Sequence, residues 1–132
     1  MGQFGTTDEA REYFKGDKFA TINGIVIDEL NEDSCVCSMD IRDDHRNAMG
    51  GVMGGVMFTL ADFAQAVISN HMHRYTTALN VSINFLSQPK GNRLIAKAEC
   101  VKSGRTTGVF NISISDDTGR MVAVALGTGY KL

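Results

Sequence analysis

One carboxylate stands alone in an apolar stretch. Asp62 lies within Phe58-Thr59-Leu60-Ala61-Asp62-Phe63-Ala64 and is the only Asp, Glu, Lys or Arg between Arg46 and Arg74. Burying an unpaired carboxylate is costly, and partial desolvation raises its pKa, which is the setting of a general base. The alternative is an Asp tied to a neighbouring backbone group or to Arg46. Just before it runs Gly50-Gly51-Val52-Met53-Gly54-Gly55, which holds four of the chain's fourteen glycines. If a helix starts there, its first N–H groups lack intrahelical partners and carry partial positive charge. Glycine lets another atom approach that backbone closely. Such a place holds an anion, or a carbonyl oxygen on which negative charge develops. No Gly-Lys-Ser/Thr follows and the spacing is not G-x-G-x-x-G, so this is neither a P-loop nor a dinucleotide fingerprint. The alternative is a turn packed tightly on a sheet.

A helix must carry these residues. Val52–Asn70 has no Pro and is long enough for about five turns. Val56, Leu60, Phe63/Ala64 and Val67 form one apolar stripe, and Met57, Ala61 and Ile68 cover much of the rest. Gly55, Thr59, Asp62, Gln65/Ala66 and Ser69 share the remaining small, polar face. A helix apolar nearly all round is a buried one. Around it the spacing predicts a short helix over Asp8–Gly16 and strands at Ile22–Leu30 and Ser34–Ile41, joined by Asn31-Glu32-Asp33. Arg42–Gly51 reads as loop. Further strands follow at Ala78–Leu86, Arg93–Val101, Thr107–Ser115 and Met121–Lys131, with turns at Ser87–Asn92, Lys102–Arg105 and Asp116–Gly119. The class is α+β: a curved antiparallel sheet wrapped around one long central helix.

The length of 132 residues suits one domain spanning 1–132. The sequence shows no repeat, low-complexity tract, signal-peptide pattern or membrane-length apolar run. Met1-Gly2 with Thr6 fits the myristoylation pattern in form, without a polybasic patch. Three cysteines, Cys35, Cys37 and Cys100, are an odd number with no paired C-x2-4-C spacing. They read as reduced, buried thiols of a cytoplasmic protein, with no metal site. Charge is uneven: residues 1–44 hold eleven acids against four Lys/Arg, and residues 45–132 four acids against nine. The basic residues of the second part are scattered singly, which argues against nucleic acid. A small polyanion or ordinary solvated strand faces both fit them.

The run Asn47-Ala48-Met49-Gly50-Gly51-Val52-Met53-Gly54-Gly55, continuing to Leu60-Ala61-Asp62, resembles the signature of hotdog-fold acyl-CoA thioesterases of the phenylacetate-pathway type. The likeness extends to Val81-Ser82-Ile83-Asn84-Phe85-Leu86 and Gly104-Arg105-Thr106, and the element order matches over nearly the whole chain. The resemblance implies a hotdog fold and hydrolysis of a CoA thioester to free acid and CoA, with no cofactor. It implies dimers, often paired into tetramers, with the site at the dimer interface. Gly54 and Gly55 would offer N–H groups to the thioester carbonyl, and Asn47 would help position the carbonyl or water. Asp62 of the other subunit would activate water or attack as a nucleophile. Lys90, Lys102 and Arg105 would meet the phosphates of CoA. The helix rise between Gly54 and Asp62 is about 12 Å, too far for both to act on one carbonyl within one chain. Two positions depart from the family: Met53 stands where it carries His, and Ala66 where relatives often carry Ser or Thr. Thr76 or Thr77 is the candidate to compensate.

Met49, Met53, Met57 and Phe58 are the candidate lining of an adaptable apolar pocket. Met in a core is an equally ordinary reading. His71-x-His73 could ligate a metal or simply suit a helix end. His45 with Asp62 echoes the His/acid pair of hotdog dehydratases. A non-catalytic acyl-CoA-binding or sensing hotdog protein is the non-enzyme alternative. No G-x-S-x-G is present.

Overall fold

The computed structural model describes residues 2–132, so the first residue of the Met1-Gly2 pattern lies outside it. The elements run α1 (Thr7–Phe14), α2 (Lys18–Ile22), β1 (Val26–Leu30), β2 (Ser34–Asp40), a 3-10 turn (Asp43–His45), α3 (Gly54–Met72), β3 (Thr76–Phe85), β4 (Arg93–Ser103), β5 (Thr107–Asp116) and β6 (Met121–Lys131). The strands form one sheet in the order β1-β2-β4-β5-β6-β3, antiparallel throughout. This is the hotdog architecture: the sheet wraps α3 and leaves β1 and β3 as its edges.

Alternation explains the wrapping. Leu94, Ala96 and Ala98 of β4, and Phe110, Ile112 and Ile114 of β5, all point inward and are buried. They meet Leu60, Ala61, Ala64, Val67 and Ile68 of α3. Each fully buried Leu or Ile contributes about 1.5–3 kcal/mol, and the alanines let the sheet close tightly on the helix. Cys35 and Cys37 are fully buried on the inner side of β2, and the Cys35 thiol donates to the Ala64 carbonyl at 3.3 Å. The contact with Cys35, and then burial, push the Cys37 thiol up. Asn70 latches the end of α3 to β3: its Nδ2 donates to the Ala66 and Thr76 carbonyls, and its Oδ1 accepts from Thr76 N. Among the described residues no helix is long and apolar enough to cross a membrane.

Most elements end within two residues of the sequence reading, and two differences bear on the site. Residues 18–22 form a helix that the sequence reading did not assign, and the first strand starts at Val26 rather than Ile22. Thr21 Oγ1 donates to the Asp17 carbonyl and Asn23 Nδ2 to the Phe19 carbonyl, both at 2.9 Å, which holds the turn closed against the strand preference of Ile22, Ile25 and Val26. The chain then reverses at Gly24, whose φ is +80°, before β1. The long helix starts at Gly54, not Val52, because Val52 is extended and bridged to Arg46.

Candidate active site

The chain ahead of α3 is tied at nearly every polar group. Asn47 Oδ1 accepts from Met49 N at 3.0 Å and Gly51 N at 3.1 Å. Asn47 N donates to the Gly51 carbonyl, and Gly50 N to the Asn47 carbonyl. Gly50 has φ +85°, which a side chain would resist. Met53 N donates to the His45 carbonyl at 3.0 Å, after which the helix begins with no side-chain cap. Among the described residues, the N–H groups of Gly54 and Gly55 have no acceptor. A methyl group on Gly54 would sit 3.0–3.3 Å from ring carbons of Phe85, whereas one on Gly55 would meet nothing within 4 Å. Gly54 therefore forms the floor of a groove of about 320 Å³ walled by Asn47, Met57, Phe85 and Gln88.

Asp62 lies two helical turns further on and opens elsewhere. It shares a smaller groove with Asp17 and Phe19 from the α2 side and with Thr59 and Phe63 of α3. The residue is exposed, and among the described residues it makes no hydrogen bond or ion pair. The tie to Arg46 is not made, since Arg46 Nη1 donates to the Gly50 carbonyl instead. Partial burial beside α2 raises the Asp62 pKa above the ordinary carboxylate value, and the Asp17 charge adds to this. Within one chain, then, a polarising helix N-terminus and an unpaired carboxylate with raised pKa occupy separate grooves.

The remaining candidates divide. Asn47 and Met57 join Gly54 in the first groove. Met53 and Gly55 line a neighbouring cavity of about 390 Å³ with Phe19, His45, Val56 and Thr59. Met49 is 92% exposed on its loop and Phe58 37% exposed on the open face of α3, so the four apolar candidates do not line one pocket of a single chain. Lys90 stands by Asp116, where β5 ends, and Arg105 just precedes Thr107, where β5 begins. The ten-residue strand between them spans about 33 Å, so Lys90 is not gathered with Lys102 and Arg105.

His45 is buried with both nitrogens committed. Nδ1 accepts from Arg42 N at 2.9 Å, and Nε2 contacts Asn23 Oδ1 at 3.2 Å, which makes it the protonated nitrogen. Burial lowers its pKa. This neutral, pinned imidazole and Asp62 line different cavities, so they do not form a dehydratase pair within the chain. Thr76 Oγ1 donates to the His73 carbonyl at 2.5 Å and is committed to the helix end, while among the described residues the Thr77 side chain makes no hydrogen bond. His71 Nδ1 accepts from Phe4 N, and His73 contacts the Leu132 carbonyl, so the two imidazoles are not aimed at one ion. Gln88, which the sequence reading passed over inside a turn, reaches the helix start. Its Oε1 accepts from Val52 N at 2.7 Å, and its Nε2 donates to the Val52 carbonyl at 3.2 Å.

A family model described as the thioesterase superfamily matches residues 49–123. The acyl-coenzyme A thioesterase PaaI of Escherichia coli (strain K12) is 29% identical over 124 residues, covering 93% of this chain and 89% of the relative. The solved structure of the E. coli PaaI protein from the phenylacetic acid degradation operon superposes with a TM-score of 0.88 at 28% identity, covering 93% of this chain and 90% of that one. A hypothetical thioesterase protein of Streptococcus pneumoniae solved with coenzyme A superposes with a TM-score of 0.81 at 29% identity, covering 89% and 94%.

Proposed function

The chain belongs to the thioesterase superfamily, and from that membership and the two grooves we propose that it hydrolyses acyl-CoA thioesters at a site shared between two copies. The observation that carries the reading is the pair of unpaired N–H groups at Gly54 and Gly55 on the same helix as an unpartnered carboxylate. The N–H groups polarise the thioester carbonyl and take up its charge as a tetrahedral oxyanion forms. Asp62 of the second copy removes a proton from water as the water oxygen bonds the carbonyl carbon. The C–S bond then breaks, CoA leaves as the thiolate or takes the proton, and the free acid remains. Asn47, whose Nδ2 makes no hydrogen bond among the described residues, is free to orient the carbonyl or the water.

Helix geometry supports the division between copies: about 12 Å of rise separates Gly54 from Asp62, and the two residues open into different grooves. Lys90 follows Gln88 of the Gly54 groove by two residues and is assigned to the CoA phosphates on that sequence proximity. Lys102 and Arg105 serve it only if they come from another copy. Met57 and Met53 supply adaptable apolar surface for the acyl group. The test is release of free thiol from short-chain, medium-chain and aromatic acyl-CoAs. Turnover that is lost in Asp62→Asn is expected. Acyl-CoA binding with no turnover of any substrate would establish a sensor instead.

A further inference from the structure

Val52 contributes an inner strand-like residue to a ladder that has no outer strand. The Arg46–Val52 bridge is flanked by the bonds Asn47 N to Gly51 O at 2.7 Å and Met53 N to His45 O at 3.0 Å. In such an antiparallel pair, the bonded groups belong to the neighbours, and the N–H and C=O of the central residue point away from its partner. Both outward groups of Val52 meet Gln88: the Oε1 acceptor at 2.7 Å and the Nε2 donor at 3.2 Å. One planar primary amide thus does the work of a neighbouring strand. Gln is the residue that can: Glu offers no donor, and Asn is one methylene shorter. Gly51 makes room, since a methyl group there would sit 2.9 Å from Oε1 and 3.0 Å from Cδ.

The amide is itself held from a fixed base. Arg120 Nε donates to the Gln88 carbonyl at 2.9 Å. Leu86 N donates to the Val122 carbonyl, and Ser87 Oγ to the Met121 carbonyl. On the other side Lys90 N and Gly91 N both donate to Asp116 Oδ2. Asp116 is buried, and this set of donors, led by the Thr118 hydroxyl, holds its carboxyl well below the usual carboxylate range. The same segment brings Phe85 against Gly54.

We propose that Gln88 is a positioning residue for the thioester site, holding Val52 so that the Gly54 and Gly55 N–H groups aim at the carbonyl oxygen. The inference rests on the oxyanion role proposed above. The direction of those N–H groups follows from the peptide planes at residues 52–55, and Gln88 fixes the first of them. Donor aim matters most where charge develops, so the effect falls on kcat rather than KM.

The experiment compares wild type, Gln88→Met, Gln88→Glu and Asp62→Asn, using phenylacetyl-CoA and hexanoyl-CoA as probes. Gln88→Met keeps the side chain's length and removes both hydrogen bonds. Its kcat is expected to fall about 10–100-fold, as for a modest misplacement of a catalytic group, with KM within about threefold. Gln88→Glu keeps the acceptor but turns a carboxylate oxygen toward the Val52 carbonyl, so its kcat falls at least as far as that of Gln88→Met. Amide hydrogen exchange at residues 52–55 is measured in the same proteins and accelerates in Gln88→Met. Unchanged kcat in a folded Gln88→Met overturns the inference and leaves the hydrolase reading intact. If Gln88→Met fails to fold, wild-type kcat in Gln88→Glu overturns it equally. If no protein hydrolyses either probe, the hydrolase reading falls, and exchange alone decides whether Gln88 holds this segment. Unchanged exchange at residues 52–55 overturns that as well.

Discussion

The two halves of the working face of α3 are built on opposite plans. At the helix start, Asn47, His45, Gln88 and Arg46 tie most polar groups of residues 47–53, while the Gly54 and Gly55 N–H groups and Asn47 Nδ2 are left unused among the described residues. Eight residues on, Asp62 projects from a rigid helix with no hydrogen-bond partner among the described residues and only α2 along one side. The contrast follows from what each half must do. An oxyanion site needs donors that do not reorganise as charge appears, so its backbone is fixed in advance. A base needs a raised pKa and access to water, so it is left unpaired. In the proposed mechanism the first half is complete within one chain, and the second is finished when a second copy brings substrate to it.

The largest effect tests that asymmetry directly. Asp62→Asn is expected to lower kcat about 10²–10⁴-fold, the range for loss of a general base. Gly54→Ala damages the other half. Hetero-oligomers made from the two variants, purified by separate tags, should recover activity above either parent, because one site in each pair then holds an intact Gly54 and an intact Asp62. Hetero-oligomers no more active than the parents would place both halves of the site in one chain and break the contrast.

The next effect separates two adjacent glycines. A methyl group on Gly54 meets the Phe85 ring at 3.0–3.3 Å, and one on Gly55 meets nothing within 4 Å. Gly54→Ala should therefore cost about 10–100-fold in kcat, and Gly55→Ala no more than about threefold. Trimming the ring in Gly54→Ala/Phe85→Ala should return part of the loss. Equal effects from the two single variants would show that close approach to the helix start is not what the glycines provide.

Much of this was legible in the sequence. The apolar stripe of α3, the alternation of β4 to β6 and the crowding of glycines ahead of Asp62 come from local periodicity and turn chemistry. What escaped was long-range. Gln88 sits in a turn beside the chain's single Pro, and nothing local says that its amide reaches Val52, 36 residues earlier. α2 was hidden because its side-chain-to-backbone bonds at Thr21 and Asn23 outweigh the β-branched residues nearby. Gln65 and Ser69 fell on the polar face by helical spacing, yet both are buried, because the sheet's curvature covers that edge of α3.

A smaller effect concerns pH at the open half. In the proposed mechanism the carboxylate form of Asp62 is the base, so kcat falls as pH drops through its pKa, and desolvation raises that pKa from the ordinary carboxylate value. Asp17 and Lys18 face the same groove from α2. Asp17→Asn removes the negative charge that adds to the shift, so the acid limb of the kcat profile should move to lower pH. The plateau should stay near the wild-type level. A limb that does not move would show that burial alone sets the pKa. The linkage to stability has the unusual sign: a carboxyl pKa higher in the folded than in the unfolded chain destabilises the fold once pH exceeds the unfolded value, about 3.9. Asp62→Asn should thus melt higher than wild type at neutral pH, with the gain disappearing as pH falls below that value. Function at the open half is held at a cost in stability.

The least effect on turnover is expected beyond both halves, at Gln65, three residues after Asp62 on α3. Its amide is buried against Gly127, and among the described residues neither Nε2 nor Oε1 has a hydrogen-bond partner. Leaving such groups unsatisfied costs about 1–3 kcal/mol, whereas an apolar side chain of the same shape carries no such penalty. Gln65→Met keeps the length and fills the space that Gly127 leaves. If the amide stays unpaired in solution, this variant should be about 1–2 kcal/mol more stable in urea unfolding than wild type, with kcat unchanged. If it is less stable, a water trapped beside the amide satisfies it in solution, and the packing here depends on that water.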